Sequence, residues 1–341
     1  MHRVKYHTPS PKSRISRSSF AFLILICLLH TACAPSDQAS EARKEGLVPI
    51  ELDKSDPERL LRYYFGSYVS QDGADPFDAG LVVKERGGLY IDSETLASLS
   101  PEASNELNDQ NGDGVIDWDE LVALLQKTYF AARQIPPTLD AFRTSVSYQT
   151  EDDAWYRVEL DGVMTTARRR IFVEEAWLRR ALEGYKTNGD KIIYPVGTTF
   201  IGEHLEGDAL AETTVMVKRA DNFWDYFVYG RMGGLVTATE TPPRALKVPT
   251  QCVGCHFGSK LFEPEKSFPG SAQPGPHGPR GYHVDSALRN AEVVRFFNEH
   301  RKRSDTVLGL YATLFVSQMQ VQRAEGTLSE ADATLLEELG L

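Results

Sequence analysis

The sequence predicts an α+β protein: a helical N-terminal unit, then a mostly antiparallel sheet, then C-terminal helices. Three observations carry that expectation. The run PERLLRYYFGSYV at 57–69 and the segment at 118–130 repeat apolar residues at helical spacing; AWYRVEL, KIIYPVGTTFIGEHL, AETTVMVKRA and FWDYFVYG, between 154 and 230, read as strands; and helical patterns return after 285. At 341 residues with 41% hydrophobic composition, the chain is long enough for two folded units and a processed leader.

In chain order, the leader comes first. Arg3, Lys5, Lys12, Arg14 and Arg17 precede the apolar run 20–29 with no acid among them, and small residues follow at 31–34. Ten apolar residues are too few for a permanent bilayer span, so 1–33 reads as an export signal. The stretch LLHTAC at 28–33 resembles a lipobox, with Cys33 the acylated residue; cleavage after Ala34 is the alternative. Acylation also suits the cysteine arithmetic. Of four cysteines, Cys27 leaves with the leader and Cys252 pairs in a motif with Cys255, so an unmodified Cys33 would be a lone thiol in an oxidising compartment. The expected location is the periplasm or outer membrane, with the membrane contacted through the N-terminal lipid. The net charge of −11 becomes more negative once the basic leader is removed, which argues against nucleic acid as a partner. The polar, acidic residues 34–56 lack periodicity and read as a tether.

Residues 57–148 read as the helical unit. Its centre is DQNGDGVIDWDE at 109–120, which resembles an EF-hand loop. A hard divalent cation takes six to eight oxygens, and this spacing supplies them from the side chains of Asp109, Asn111, Asp113, Asp117 and Glu120 and the carbonyl of Val115, with Gly114 at the sharp turn. Ca2+ is the cofactor this pattern implies, as a structural brace and not a sensor, since calcium is abundant outside the cytosol. Ser100-Pro101 opens the entering helix and Pro136-Pro137 stops the exiting one. EF-hands come in pairs; GGLYIDSETLASL at 87–99 echoes the loop without its acidic ligands and reads as a metal-free mate for Ile116.

Residues 149–264 read as the second unit, with TARRRIFVEEAWLRRALEGY at 166–185 a helix among the strands. It ends in CVGCH: two thiols for thioether bonds to a porphyrin, and the next imidazole for its iron. Cys252, Cys255 and His256 are therefore assigned to haem c. A disulfide or an incomplete metal site are the other readings; a full zinc site would need a second ligand pair, and no further cysteine remains in the folded part.

The order of YPVGTTF at 194–200, VMVKR at 215–219 with WDYFV at 224–228, and CVGCH at 252–256 resembles the cytochrome P-460 and cytochrome c prime beta family over residues 153–262. The resemblance implies a haem bound near the C-terminal end of an antiparallel sheet. It also implies a five-coordinate iron on His256, open to nitric oxide or hydroxylamine. Some members link a lysine to the macrocycle, for which Lys186, Lys191 and Lys218 are candidates. The competing expectation is a six-coordinate electron-transfer cytochrome exchanging electrons with a redox partner protein, with Met319 its best-placed sixth ligand and Met216, Met232, His204, His277, His283 and His300 further candidates. A third is a surface interaction protein organised by calcium. Residues 265–284 form a proline- and glycine-rich loop, and 285–341 return to helix, the last opened by Thr327 with Glu330 as a capping box.

Overall fold

The computed structural model describes residues 46–54, 56–148, 154–161, 167–189, 192–241, 245–256, 291, 292, 295 and 307–341. Cys33, the leader, Lys191, His277, His283, His300 and the loop 265–284 lie outside these residues. The described residues combine helices with antiparallel sheet, the α+β class the patterning implies.

Helix α1, Pro57–Val69, starts where Asp56 accepts the Arg59 N–H at 3.1 Å and Pro57 occupies the first turn, where its missing N–H is harmless. It buries Leu60, Leu61, Tyr63, Tyr64, Phe65 and Tyr68. Strands β1 (Leu47–Ile50), β2 (Val82–Glu85) and β3 (Gly88–Asp92) form a sheet in the order β1-β3-β2. Arg86 and Gly87, both at positive φ, make the tight turn between β2 and β3. Part of the expected tether 34–56 is thus a strand: pairing with β3 lets Leu47 and Ile50 enter the core, a gain that four residues among acidic neighbours do not announce. Helices α2 (Ser93–Leu99), α3 (Pro101–Glu106), α4 (Trp118–Ala132) and α5 (Leu139–Ser145) follow, with Asp92, Ser100, Asp117 and Thr138 as N-caps.

The larger sheet is a six-stranded meander in chain order: β4 (Trp155–Asp161), β5 (Arg168–Glu174), β6 (Thr199–Glu206), β7 (Ala209–Lys218), β8 (Trp224–Tyr229) and β9 (Leu235–Val236). The segment 166–185 divides, contrary to the single helix expected. Arg168–Glu174 is β5 and Glu175–Thr187 is helix α6, because alternation puts Ile171 and Val173 on one face of the sheet and Phe172 on the other. Residues 192–198, read as part of a strand, are loop leading into β6.

Both faces of this sheet are covered. On one, Ile171, Val173, Phe200, Met216, Trp224 and Tyr226 join a core that also holds Tyr63 and Phe65 of α1 and Leu121, Leu124 and Tyr129 of α4. This core runs across the expected boundary at 148/149, and the described residues on both sides of it belong to one compact unit. On the other face, Phe172, Ile201, Val215, Phe227 and Tyr229 pack on Leu139 and Phe142 of α5.

Helix α7, Thr250–His256, follows the sheet, and α8 (Val307–Glu325) and α9 (Glu330–Leu339) close the chain. Phe315 of α8 lies 6.4 Å from the Phe200 ring and 6.3 Å from Tyr156. Ser329, not Thr327, caps α9, its hydroxyl accepting the Asp332 N–H at 3.1 Å. Asp332 in turn takes Arg179 of α6 at 2.7 Å and the Tyr156 hydroxyl of β4, fastening the last helix to the sheet. No helix among the described residues is long and apolar enough to cross a membrane.

Candidate functional site

The acidic loop spans α3 to α4. Gly112 and Gly114 sit at φ +76° and +85°, where an L side chain would be strained. Asp109 accepts the Gly112 and Gly114 N–H groups at 2.7 and 2.6 Å, Asn111 accepts that of Asp113 at 2.9 Å, and Asp113 that of Val115 at 3.0 Å. Glu120, 8% exposed, completes a capping box with Asp117 and also accepts the Gln110 N–H at 2.6 Å. The loop side chains thus bond loop N–H groups, and among the described residues no three His, Cys, Asp or Glu side chains gather closely enough to hold a metal. The donor chemistry still suits a hard cation: each carboxylate oxygen that accepts one N–H keeps a second lone pair for a metal.

Ile116 bridges to Ile50, donating its N–H to Pro49 at 2.8 Å and accepting the Glu51 N–H at 3.0 Å. The expected mate, 87–99, is therefore one strand removed. Strand β1 lies between it and the loop, pairing Val48 with Ile91 on its other side. Lys127 and Glu106, 2.5 Å apart, tie the exiting helix to the entering one.

Helix α7 carries the cysteine motif. Lys247 donates its N–H to the Gln251 side chain at 2.6 Å, while the carbonyls of Lys247 and Pro249 accept the Gln251 and Val253 N–H groups. Val248 and Val253 are fully buried, Cys252 is half-buried against the larger core, and α7 packs on α8. The backbone of α7 is helical through His256, so positions 252, 255 and 256 fall on one side of it. The side chains of Cys255 and His256 lie outside the description. For a group attached here, the donor chemistry is the appropriate one: two thiols at i and i+3 beside an imidazole, next to an apolar core.

No family model, curated protein or solved structure matches this chain.

The remaining candidates scatter. Met319 is 1% exposed in the core around α8, Met216 is buried against Phe200, and Met232 is 95% exposed. Lys186 donates to the Glu338 carbonyl, and Lys218 to that of Asn222 at 2.6 Å while lying over the Trp224 ring. Burial pushes Lys218 down to about 8, partly opposed by Asp221.

His204, one of the candidate sixth ligands, is buried. It stands beside Glu212 in the β6–β7 register and beside Arg169 in the β5–β6 register. Its ring lies 3.4 Å from the hydroxyls of both Thr214 and Thr241 and 3.5 Å from Glu212, which also accepts the Thr241 hydroxyl. Burial, reinforced by Arg169, holds its pKa well below the usual imidazole range. Sequence reasoning missed this cluster because only strand register brings residues 169, 204 and 212 together, and Thr241 reaches them from the chain beyond β9.

Proposed function

We propose that the protein is an exported, lipid-anchored c-type haem protein whose iron takes part in redox chemistry or binds small nitrogen oxides. Cys252 and Cys255 would form the thioethers, and His256 would ligate the iron. What supports this reading most is the CVGCH spacing on a helix whose positions 252, 255 and 256 share one side, with Val253 anchoring the helix in the core. A haem held here supplies one-electron chemistry and an open coordination position. Met319 favours the open position, since a thioether buried among Leu314, Phe315 and Val316 behaves as core.

The loop 109–120 is proposed to hold calcium as a brace, supported by the oxygen donor set and the positive φ of Gly114. The proposed physiological partner is a redox protein or a small nitrogen-oxide ligand.

The test is the mass and absorption spectrum of protein matured in a strain with working haem-attachment machinery. The expected mass is that of the mature chain with its N-terminal lipid plus one haem, with a ferrous spectrum that shifts on adding carbon monoxide or nitric oxide. A bare chain mass refutes the proposal; an attached haem indifferent to both gases leaves the electron-shuttle reading.

A further inference from the structure

We propose that cation occupancy of the 109–120 loop controls how firmly helix α7 is held, with α4 and the Arg133–Asp225 pair as the link. This rests on reading that loop as a calcium site. Helix α4 begins at the loop: Asp117 is its N-cap and Glu120 lies in its first turn. Over its 15 residues, about 22 Å at 1.5 Å per residue, it runs to the larger sheet.

At the far end Arg133 binds Asp225 of β8 through Nε and Nη2 at 2.9 and 2.7 Å, and the carbonyl of Gln71 at 2.6 Å. Tyr129, one turn earlier, donates to the same carboxylate at 2.7 Å. The chain leaving α4 continues the connection. The Pro136 carbonyl accepts the Tyr229 hydroxyl at 2.9 Å, that of Pro137 accepts the Leu235 N–H at 3.2 Å, and Leu139 donates its N–H to Gly233 at 2.8 Å.

From β9 the path reaches α7 through backbone alone. The Thr237 carbonyl accepts the Val248 N–H at 2.9 Å, Ala238 bridges to Lys247, and Thr239 donates its N–H to Leu246 at 3.0 Å. Gln126 of α4 also reaches that same Thr237 carbonyl, at 3.5 Å. Each link is a hydrogen bond or a buried ion pair between elements packed on one core, so ordering the first turn of α4 restricts the segment that carries Cys252. Coupling is reciprocal: whatever steadies α7 raises calcium affinity by the same factor.

Hydrogen–deuterium exchange on the full-length matured protein, in chelator and in millimolar calcium chloride, tests this. Calcium is expected to slow exchange at least threefold both in residues 109–117 and in 246–256. Arg133→Gln is expected to keep the first effect and weaken the second, since the bonds from Gln126 and to Pro137 remain. Slowing confined to 109–132 in the wild-type protein overturns the coupling while leaving the calcium reading intact. No slowing in 109–117 overturns both. The wild-type comparison decides even where Arg133→Gln does not fold.

Discussion

Arg133 and Asp225, 92 residues apart, meet in a bidentate ion pair at 2.7 and 2.9 Å with each side chain 6% exposed. The contact joins the helix leaving the acidic loop to the second-last strand of the larger sheet. Arg219, 3.6 Å from the same carboxylate and bonded to Asp221 at 2.5 Å, makes it a shared anion for two buried cations. What looks in sequence like two units is, at this point, one.

Asp225→Ala is accordingly expected to cost about 3–5 kcal/mol in chemical denaturation, because it leaves Arg133 and Arg219 buried without their common counter-charge. Adding Arg133→Met should return part of that loss. A single-variant cost below about 1 kcal/mol would show that the anion is dispensable.

Glu120→Gln tests the cation site. Glutamine keeps only one of the two acceptor oxygens, so either the capping-box bond or the bond from Gln110 is lost and stability in chelator should already fall by about 1–2 kcal/mol. In calcium the variant should bind at least tenfold more weakly and lose the ligand-induced rise in Tm, read by calorimetry. Equal calcium affinity in both proteins would remove Glu120 from the site.

His204 predicts a pH dependence. Its folded pKa lies below the unfolded value, so between the two the unfolded chain binds a proton that the folded one does not. Stability should therefore fall as pH drops below about 6.5, and His204→Asn should flatten that limb in melts recorded from pH 7.5 to 5. Identical slopes for the two proteins would show that the imidazole is not the group responsible.

Met319→Leu conserves volume in the core and should cost less than about 1.5 kcal/mol. With an open iron the visible spectrum stays unchanged. Loss of a six-coordinate signature in the variant would instead make Met319 the axial ligand.

Lys218 should titrate near pH 8 when followed by NMR of the 13C-methylated protein, since burial disfavours its ammonium more than Asp221 favours it. A value near that of the exposed lysines would mean that the side chain is solvated.

Local features were legible where the residues involved lie within one turn or one loop of each other. The start of α1 at Asp56-Pro57, that of α3 at Ser100-Pro101 and the glycine positions of the acidic loop appear where spacing puts them. Errors fell where a distant strand decides. Leu47–Ile50 becomes strand only because β3 and Ile116 flank it, and 166–185 splits at Glu174 because the first half finds β4 and β6 as neighbours.

By itself the sequence determined the α+β class and the two chemical motifs, since helical period, alternation, turn glycines and donor spacing are all written within short windows of chain. Tertiary structure alone decided that both motifs rest on one core, that His204 is buried beside Glu212, and that Arg133 reaches Asp225. The reason is physical: register and long-range burial depend on surfaces that exist only once distant segments have packed, and no window of neighbouring residues contains them.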